Sequence, residues 1–131
     1  MLVAERKGTI LCLSAESGSG VAWGQHFKIA TTAEVYGRVC LTVAEARAVR
    51  DGELEGFPAR GRAVMECAAA FEKNAVDDEV RERVSAQLTR IELLDLTVLA
   101  GLYGMAGRLT NALAVPMDEG ILPISAVDSL T

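Results

Sequence analysis

The residues most able to carry acid–base chemistry surround the single histidine of the chain. His26 lies in the segment SGVAWGQHFKIA, residues 19–30, three residues after the indole of Trp23. On a predicted helix, His26 shares one face with Ala22 and Ile29. An imidazole titrates near neutral pH and can donate or accept a proton in catalysis. A lone histidine on an apolar face is more often a hydrogen-bonded core residue, so both interpretations stay open.

The other potentially reactive groups form no recognisable motif. Cys12, Cys40 and Cys67 are odd in number and widely spaced, which excludes a CxxC redox pair, a disulfide framework and a zinc set. We interpret them as small buried hydrophobic residues in a reducing, cytoplasmic compartment. Gly18 and Gly20 lack the third glycine and the preceding strand of a dinucleotide loop. We therefore expect no metal and no cofactor.

Composition and charge narrow the class of protein. The chain has 131 residues, which predicts a single domain over residues 1–131. Half of the residues are hydrophobic but only 5% are aromatic, a balance that favours close-packed helices over a β-sandwich. A formal net charge of −5 argues against a nucleic-acid surface. The longest uncharged run, between Asp95 and Arg108, is too short to span a membrane.

Local signals mark the beginnings of helices. Thr-x-x-Glu capping boxes begin at Thr42 and at Thr89, and each satisfies amides of a first helical turn. Pro58 is suited to the first turn of another helix, where its missing amide costs nothing. Nearer the N-terminus, helices are predicted over about 3–15 and 19–33. Together these signals predict an all-α, compact bundle of five or six helices, with no strand.

The longest predicted helix runs from Thr89 to about Val115 and is apolar on every side. Such a helix is expected to be buried all round. One small domain cannot cover every face of it, so we infer a subunit interface as well as a core. Gly101, Gly104 and Gly107 fall within this helix, and each costs about 0.8–1 kcal/mol relative to alanine. Their spacing indicates close helix packing, with a ligand pocket as the alternative.

A family resemblance is carried by three stretches in order along the chain. These are AERKGTILCLSAESGSGVAWGQHFKIA from residue 4, LTVAEARAVRDGE from residue 41 and LLDLTVLAGLYGMAGRLTNALAVPMDEG from residue 93. The chain resembles the carboxymuconolactone decarboxylase and AhpD-like alkylhydroperoxidase superfamily over nearly its whole length. The resemblance implies an all-α fold of AhpD-like type. It also implies assembly into a homo-oligomer, a trimer or a hexamer, with sites close to the subunit contacts.

Departures from the pattern of the peroxidase members change the expected chemistry. Those members carry a CxxC pair at positions that are Ser19 and Ala22 here. A serine hydroxyl cannot cycle through sulfenate and disulfide, so the resemblance does not extend to thiol peroxidase activity. The relay glutamate of the family falls near Lys7, and Glu5 lies one helical face away. Of the relay, only His26 is present.

Decarboxylase members also lack the cysteine pair and keep a His-x-Arg/Lys-x-Ala pattern, which His26, Lys28 and Ala30 match. The resemblance therefore implies a cofactor-free acid–base enzyme of the lyase type. Its substrate would be a small carboxylated or lactone-like organic molecule. In that interpretation His26 transfers the proton, and Lys7 or Arg108 supplies the cation for the carboxylate.

Further contacts with the substrate are expected from Trp23, Tyr103, Arg108 and Asn111. The alternative is a catalytically inactive family member that acts as an oligomeric binding or scaffolding module. Loss of both the cysteine pair and the glutamate favours this alternative. A polar, enclosed environment for His26 would favour the enzyme, whereas a His26 sealed by Trp23 and Phe27 would favour the scaffold.

Overall fold

The computed structural model describes residues 3–35 and 37–130, which are mostly helical. The elements in chain order are α1 (Val3–Ser17), α2 (Gly20–Thr32), β1 (Glu34–Val35), β2 (Arg38–Val39), α3 (Val43–Asp51), α4 (Ala59–Glu72), α5 (Asp78–Ser85), α6 (Arg90–Ala112) and a 3-10 helix (Ile124–Ser129). The expected all-α class is confirmed. The two-residue strands form a small antiparallel hairpin, which is a difference from the expectation of no strand.

Helix α1 is the centre of the bundle and packs against α2, α3, α4 and α6. Its residues Ile10, Leu11 and Leu13 are almost completely buried. The hydroxyls of the buried Thr9 and Ser14 donate to carbonyls of their own helix, at 2.8 and 2.7 Å. Because these hydroxyls are satisfied locally, α1 can be enclosed on several sides without an orphaned side-chain donor.

The local signals for helix ends are largely confirmed. Both capping boxes form, with reciprocal bonds between side chain and backbone at Thr42 and at Thr89. Gly52 ends α3 in the left-handed conformation, with φ of 73°, where glycine has no steric penalty. Pro58 precedes α4 as its N-cap and does not occupy the first turn. Proline has no backbone N–H, so this helix end has one donor fewer that needs a hydrogen-bond partner.

Helix α6 differs from the expectation in its length and its exposure. It ends at Ala112, three residues before the predicted end at Val115. It is buried on one side only, through Leu96, Ala100, Gly104 and Gly107. The opposite side stays exposed in the single chain, so the prediction of burial all round is wrong for the described residues of one subunit.

Two of the three glycines of α6 allow close packing. A Cβ atom on Gly104 would lie 2.6 Å from Oε2 of Glu72, and one on Gly107 would lie 2.8 Å from Oγ of Ser17. A side chain at either position would displace the end of Glu72 or of Ser17. Gly101 is different, because its nearest such neighbour, in the ring of Phe71, lies 4.0 Å away.

The C-terminal segment packs on its own subunit. Val127 is fully buried in the core that α1, α2 and α3 share. The guanidinium of Arg47 donates to the carbonyl oxygens of Val127 and Leu130, at 3.2 and 2.8 Å. This segment therefore closes one end of the bundle. Among the described helices, none has both the length and the apolar character needed to cross a bilayer.

Candidate acid–base site

His26 and Lys7 come together between the first two helices. Lys7 lies on α1 and His26 on α2, and Nζ of the lysine lies 3.4 Å from Nδ1 of the imidazole in a partly buried setting. A tight turn at Gly18 and Ser19 folds α2 back against α1. Residues nineteen positions apart therefore meet side by side.

Ser19 fixes the direction in which α2 leaves this turn. It is the N-cap of α2, and its Oγ accepts a hydrogen bond from the amide of Ala22 at 3.3 Å. The same hydroxyl lies 2.8 Å from Oγ1 of Thr110 on α6. Ser19 is buried. Ser19 therefore links three helices, because its amide donates to the carbonyl of Ser14 on α1, and its hydroxyl caps α2 and contacts Thr110 on α6.

The surroundings of His26 favour the neutral imidazole. Partial burial and, secondarily, the positive charge of Lys7 lower its pKa from 6.5 to about 4. An ammonium group only donates, so Nδ1 of His26 accepts this bond and the ring proton lies on Nε2. At neutral pH the imidazole is therefore a proton acceptor held next to a cation.

Tyr103 supports the imidazole from α6. The ring centroids of His26 and Tyr103 are 5.2 Å apart at an interplanar angle of 84°, an edge-to-face arrangement. This geometry is a favourable one for two aromatic rings. Helices α1, α2 and α6 thus each contribute one side chain, namely Lys7, His26 and Tyr103, to a single cluster.

Lys7 has no ion-pair partner among residues 3–35 and 37–130. Glu5, the nearest acidic residue before it on α1, pairs instead with Arg60 of α4 at 2.7 Å. Arg60 also contacts Glu92 at 2.6 Å, and this ion pair lowers the pKa of Glu92 to about 2. Glu5 and Glu92 are therefore engaged with Arg60, and neither forms an ion pair with Lys7 in the part of the chain that the structure describes.

The structure does not bring Arg108 and Asn111 to this cluster. Arg108 pairs with Glu72 of α4, with 2.8 Å between NH2 and Oε1. Nδ2 of Asn111 donates to the carbonyl of Ser17 at 3.0 Å, and so satisfies the end of α1. Both side chains have structural partners, and neither contacts His26 or Lys7 among the contacts of the described residues.

Trp23 lies in the core and not at the surface. Its side chain is 0% exposed and stacks on Phe27, with ring centroids 6.1 Å apart. The indole Nε1 is buried without a hydrogen-bond partner. The expected contact of Trp23 with a substrate has no support in this placement. Phe27 is buried as well, yet the two rings do not seal His26, which stays half-buried on the neighbouring face.

Two clefts in the described surface lie apart from His26. The larger, of about 280 Å³, is lined by Phe27, Lys28, Leu122 and neighbouring residues. The smaller, of about 190 Å³, lies between α4 and α5 near Arg62. Neither of these two clefts is lined by His26 or Lys7, whose side chains are half-buried.

The carboxylate of Glu72 is buried against α6. It was not identified from the sequence. The side chain of Glu72 is 5% exposed; Oε1 pairs with Arg108, and Oε2 has no hydrogen-bond partner in the described structure. Gly104 is the related feature of the sequence, because its missing side chain leaves room for Glu72. A glycine in a helix cannot by itself identify which residue fills the space.

Comparison with protein-family models, with curated proteins and with solved structures found no match to this chain. The candidate site is therefore defined by its own geometry. In the part of the chain that the structure describes, no three histidine, cysteine or acidic side chains converge as a metal site would require.

Proposed function

We propose that this protein is a cofactor-free, non-redox acid–base enzyme that acts on a small carboxylated or lactone-like organic molecule. The observation that carries the proposal is the contact of 3.4 Å between Lys7 and Nδ1 of His26. It joins a cation without an ion-pair partner among the described residues to a neutral imidazole. This is the pairing that chemistry next to a carboxylate needs, and it agrees with the resemblance to carboxymuconolactone decarboxylases.

The first step of the proposed mechanism is binding of the negatively charged substrate. The substrate carboxylate binds the ammonium of Lys7 and takes the hydrogen bond that Lys7 gives to Nδ1 of His26 in the free protein. The lone pair of Nδ1 is then free beside the carbon next to the carboxylate. The bound anion offsets the charge of Lys7, and the pKa of His26 rises from its low value in the free protein. His26 then removes a proton from that carbon, so the C–H bond breaks and its electron pair stays on the carbon as a carbanion. The imidazolium returns the proton to this carbanion. Tyr103 holds the imidazole ring in place.

The states of the cysteines support a non-redox reaction. Burial raises the pKa of Cys12 to about 12, and its Sγ lies 3.4 Å from the carbonyl of Met65. Burial also raises the pKa of Cys67. A thiol that stays protonated is a poor nucleophile towards peroxide. We therefore assign no peroxidase role to these residues.

The position of His26 outside both clefts favours a second candidate, a catalytically inactive member that serves as an oligomeric binding or scaffolding module. An active site generally encloses its substrate, and neither cleft of the single subunit includes His26. Assembly would decide between the two functions, because a neighbouring subunit can enclose an open site. We propose a homo-oligomer, for which the family resemblance implies a trimer or a hexamer, in the cytoplasm.

The nuclear magnetic resonance signal of the single histidine tests the proposed function. We expect the imidazole of His26 to titrate near pH 4 in the free protein and at a higher pH once a small carboxylate binds Lys7 and offsets its charge. Primary amides of the same acids are the matched control ligands and are expected to leave the titration unchanged. Lys7→Met should raise the pKa of the free protein and abolish the response to carboxylates. An imidazole that ignores every carboxylate in the panel would contradict the proposal.

A further inference from the structure

The exposed side of α6 carries a continuous apolar stripe. Its members are 50% to 74% exposed and are Ile91, Leu94, Val98, Leu102, Met105, Leu109 and Leu113, the last being the C-cap residue. They account for seven of the ten large hydrophobic side chains exposed in the described residues. We call this set the α6 stripe. No residue in it is charged or polar.

The spacing of the α6 stripe keeps it on one side of a straight helix. Successive members are three, four and four residues apart, and the pattern then repeats, which gives a period of eleven residues. At 100° per residue, eleven residues return to nearly the same direction, with a drift of about 20°. Another straight helix can therefore pack on the α6 stripe along the full length of α6.

The area of the stripe matches what a stable dimer buries. The exposed fractions of its seven side chains correspond to roughly 800 Å² of apolar surface, which is about the area that a standard-size interface buries on each partner. It also exceeds the largest apolar patch of a typical monomer, about 300–600 Å².

We propose that the α6 stripe is a two-fold interface, in which α6 of one subunit packs antiparallel on α6 of a second copy of this chain. The described surface shows one large apolar patch, and only an isologous contact uses a single patch on both partners. An antiparallel arrangement also sets the helix dipoles in favourable opposition. The inference deepens the proposed homo-oligomer and does not depend on the chemistry of His26.

One register pairs the members of the stripe. It sets Leu94 opposite Leu109 of the second copy and Val98 opposite Met105 of the second copy. The two-fold axis then passes between Gly101 and Leu102, with the two Leu102 side chains beside it. Gly101 precedes Leu102 and is exposed, and a Cβ atom there would lie 4.0 Å from the ring of Phe71. The missing side chain allows the helices to approach closely beside the central contact. The exposed Asp95 points in the same direction as Leu113, eighteen residues further on, and so lies at the edge of the stripe.

The pairing brings the two candidate sites to the same side of the dimer. One flank of α6 faces Glu72 of α4, and the other carries Tyr103 against His26 of α2. The two-fold axis of such a pair is perpendicular to the plane that contains both helices. The same flank of each helix therefore lies on the same side of that plane. Tyr103 lies within one helical turn of the axis, so the two His26 clusters lie near the middle of the pair.

Single cysteines placed in the stripe test this geometry. In a Cys40→Ser background, the other native thiols are buried. Leu102→Cys is expected to cross-link to itself under mild oxidation, because two residues at the axis lie within disulfide distance. Ile91→Cys is the matched control. Its two copies would be about 30 Å apart in the antiparallel pair and are expected not to cross-link, whereas a parallel pair or a parallel trimer would join them.

Sedimentation of the native protein and of Leu102→Glu completes the test. We expect a dimer of twice the 13.9 kDa chain mass, or a hexamer with the same cross-links. Leu102→Glu is expected to weaken the association on the order of 100-fold, while Thr97→Glu, exposed on α6 outside the stripe, leaves it unchanged. A native monomer at tens of micromolar would overturn both the pairing and the proposed oligomer. A trimer that cross-links through Ile91→Cys would overturn the pairing alone.

Discussion

Replacing His26 with glutamine is expected to lower turnover of a responsive carboxylate by about 10²–10⁴-fold, the usual effect of removing a general acid–base group. Glutamine has a similar length and can still accept a hydrogen bond from Lys7, so we expect the thermal melt at pH 7 to change by only a few degrees. His26 is half-buried at the edge of the core, which leaves room for the substitution. A large drop in the melt with turnover per folded molecule intact would make His26 a structural residue.

The same variant isolates the pH dependence that His26 contributes to stability. The pKa of His26 is about 4 in the folded protein, against 6.5 for the ordinary group. The unfolded chain therefore binds more protons between these values, and stability is lost as the pH falls from 6.5 to 4. Because the imidazole is partly exposed, the loss should be roughly 1–2 kcal/mol. In urea denaturation, the difference between the native protein and His26→Gln should follow this window and stay constant above pH 7.

Trp23→Ala is expected to destabilise the fold by about 3–5 kcal/mol, the cost of removing a large aromatic side chain from a packed core. The indole is fully buried and stacks on Phe27. Trp23→Phe is the matched control. It keeps a ring and removes an Nε1 donor that has no partner in the described structure, so we expect a loss of about 1 kcal/mol or less. Urea denaturation followed by circular dichroism measures both variants.

The outcome for Trp23 also decides between core and site. If Trp23→Ala kept the native stability and lost the response of His26 to carboxylates, the indole would be a substrate contact, as the sequence interpretation expects. If stability falls and the remaining folded protein still binds carboxylates, Trp23 is a core residue that supports α2.

The parts of the fold that follow from local chemistry could be read from the sequence. A capping box needs only a threonine and a glutamate three residues apart, and both boxes form as predicted. The left-handed end of α3 at Gly52 is of the same kind. The exposure of the α6 stripe and the packing of the C-terminal segment on α2 and α3 depend on tertiary geometry. Sequence periodicity does not encode which side of an apolar helix is covered.

In the candidate site, too, the sequence identified the residues, whereas their contacts depend on tertiary packing. His26 was found because the chain has one imidazole, and Lys7 because the family pattern pointed to its position. Their contact at 3.4 Å depends on how α1 and α2 pack. Arg108 and Asn111 stand in the best-matched helix, yet their partners are Glu72 and the end of α1. A side chain of the right type on the right helix can point to a structural partner, and only the packing reveals it.

Deuterium incorporation tests the acid–base proposal most directly. Small carboxylic acids that carry a keto or lactone group are incubated with the protein in deuterium oxide, and exchange at the carbon beside the carbonyl is followed by nuclear magnetic resonance. We predict that the native protein accelerates exchange for at least one acid of the panel, that Lys7→Met weakens this effect, and that His26→Gln removes it. Exchange at the uncatalysed rate with every acid, by a protein shown to be folded and assembled, would contradict the proposal and favour the scaffolding function.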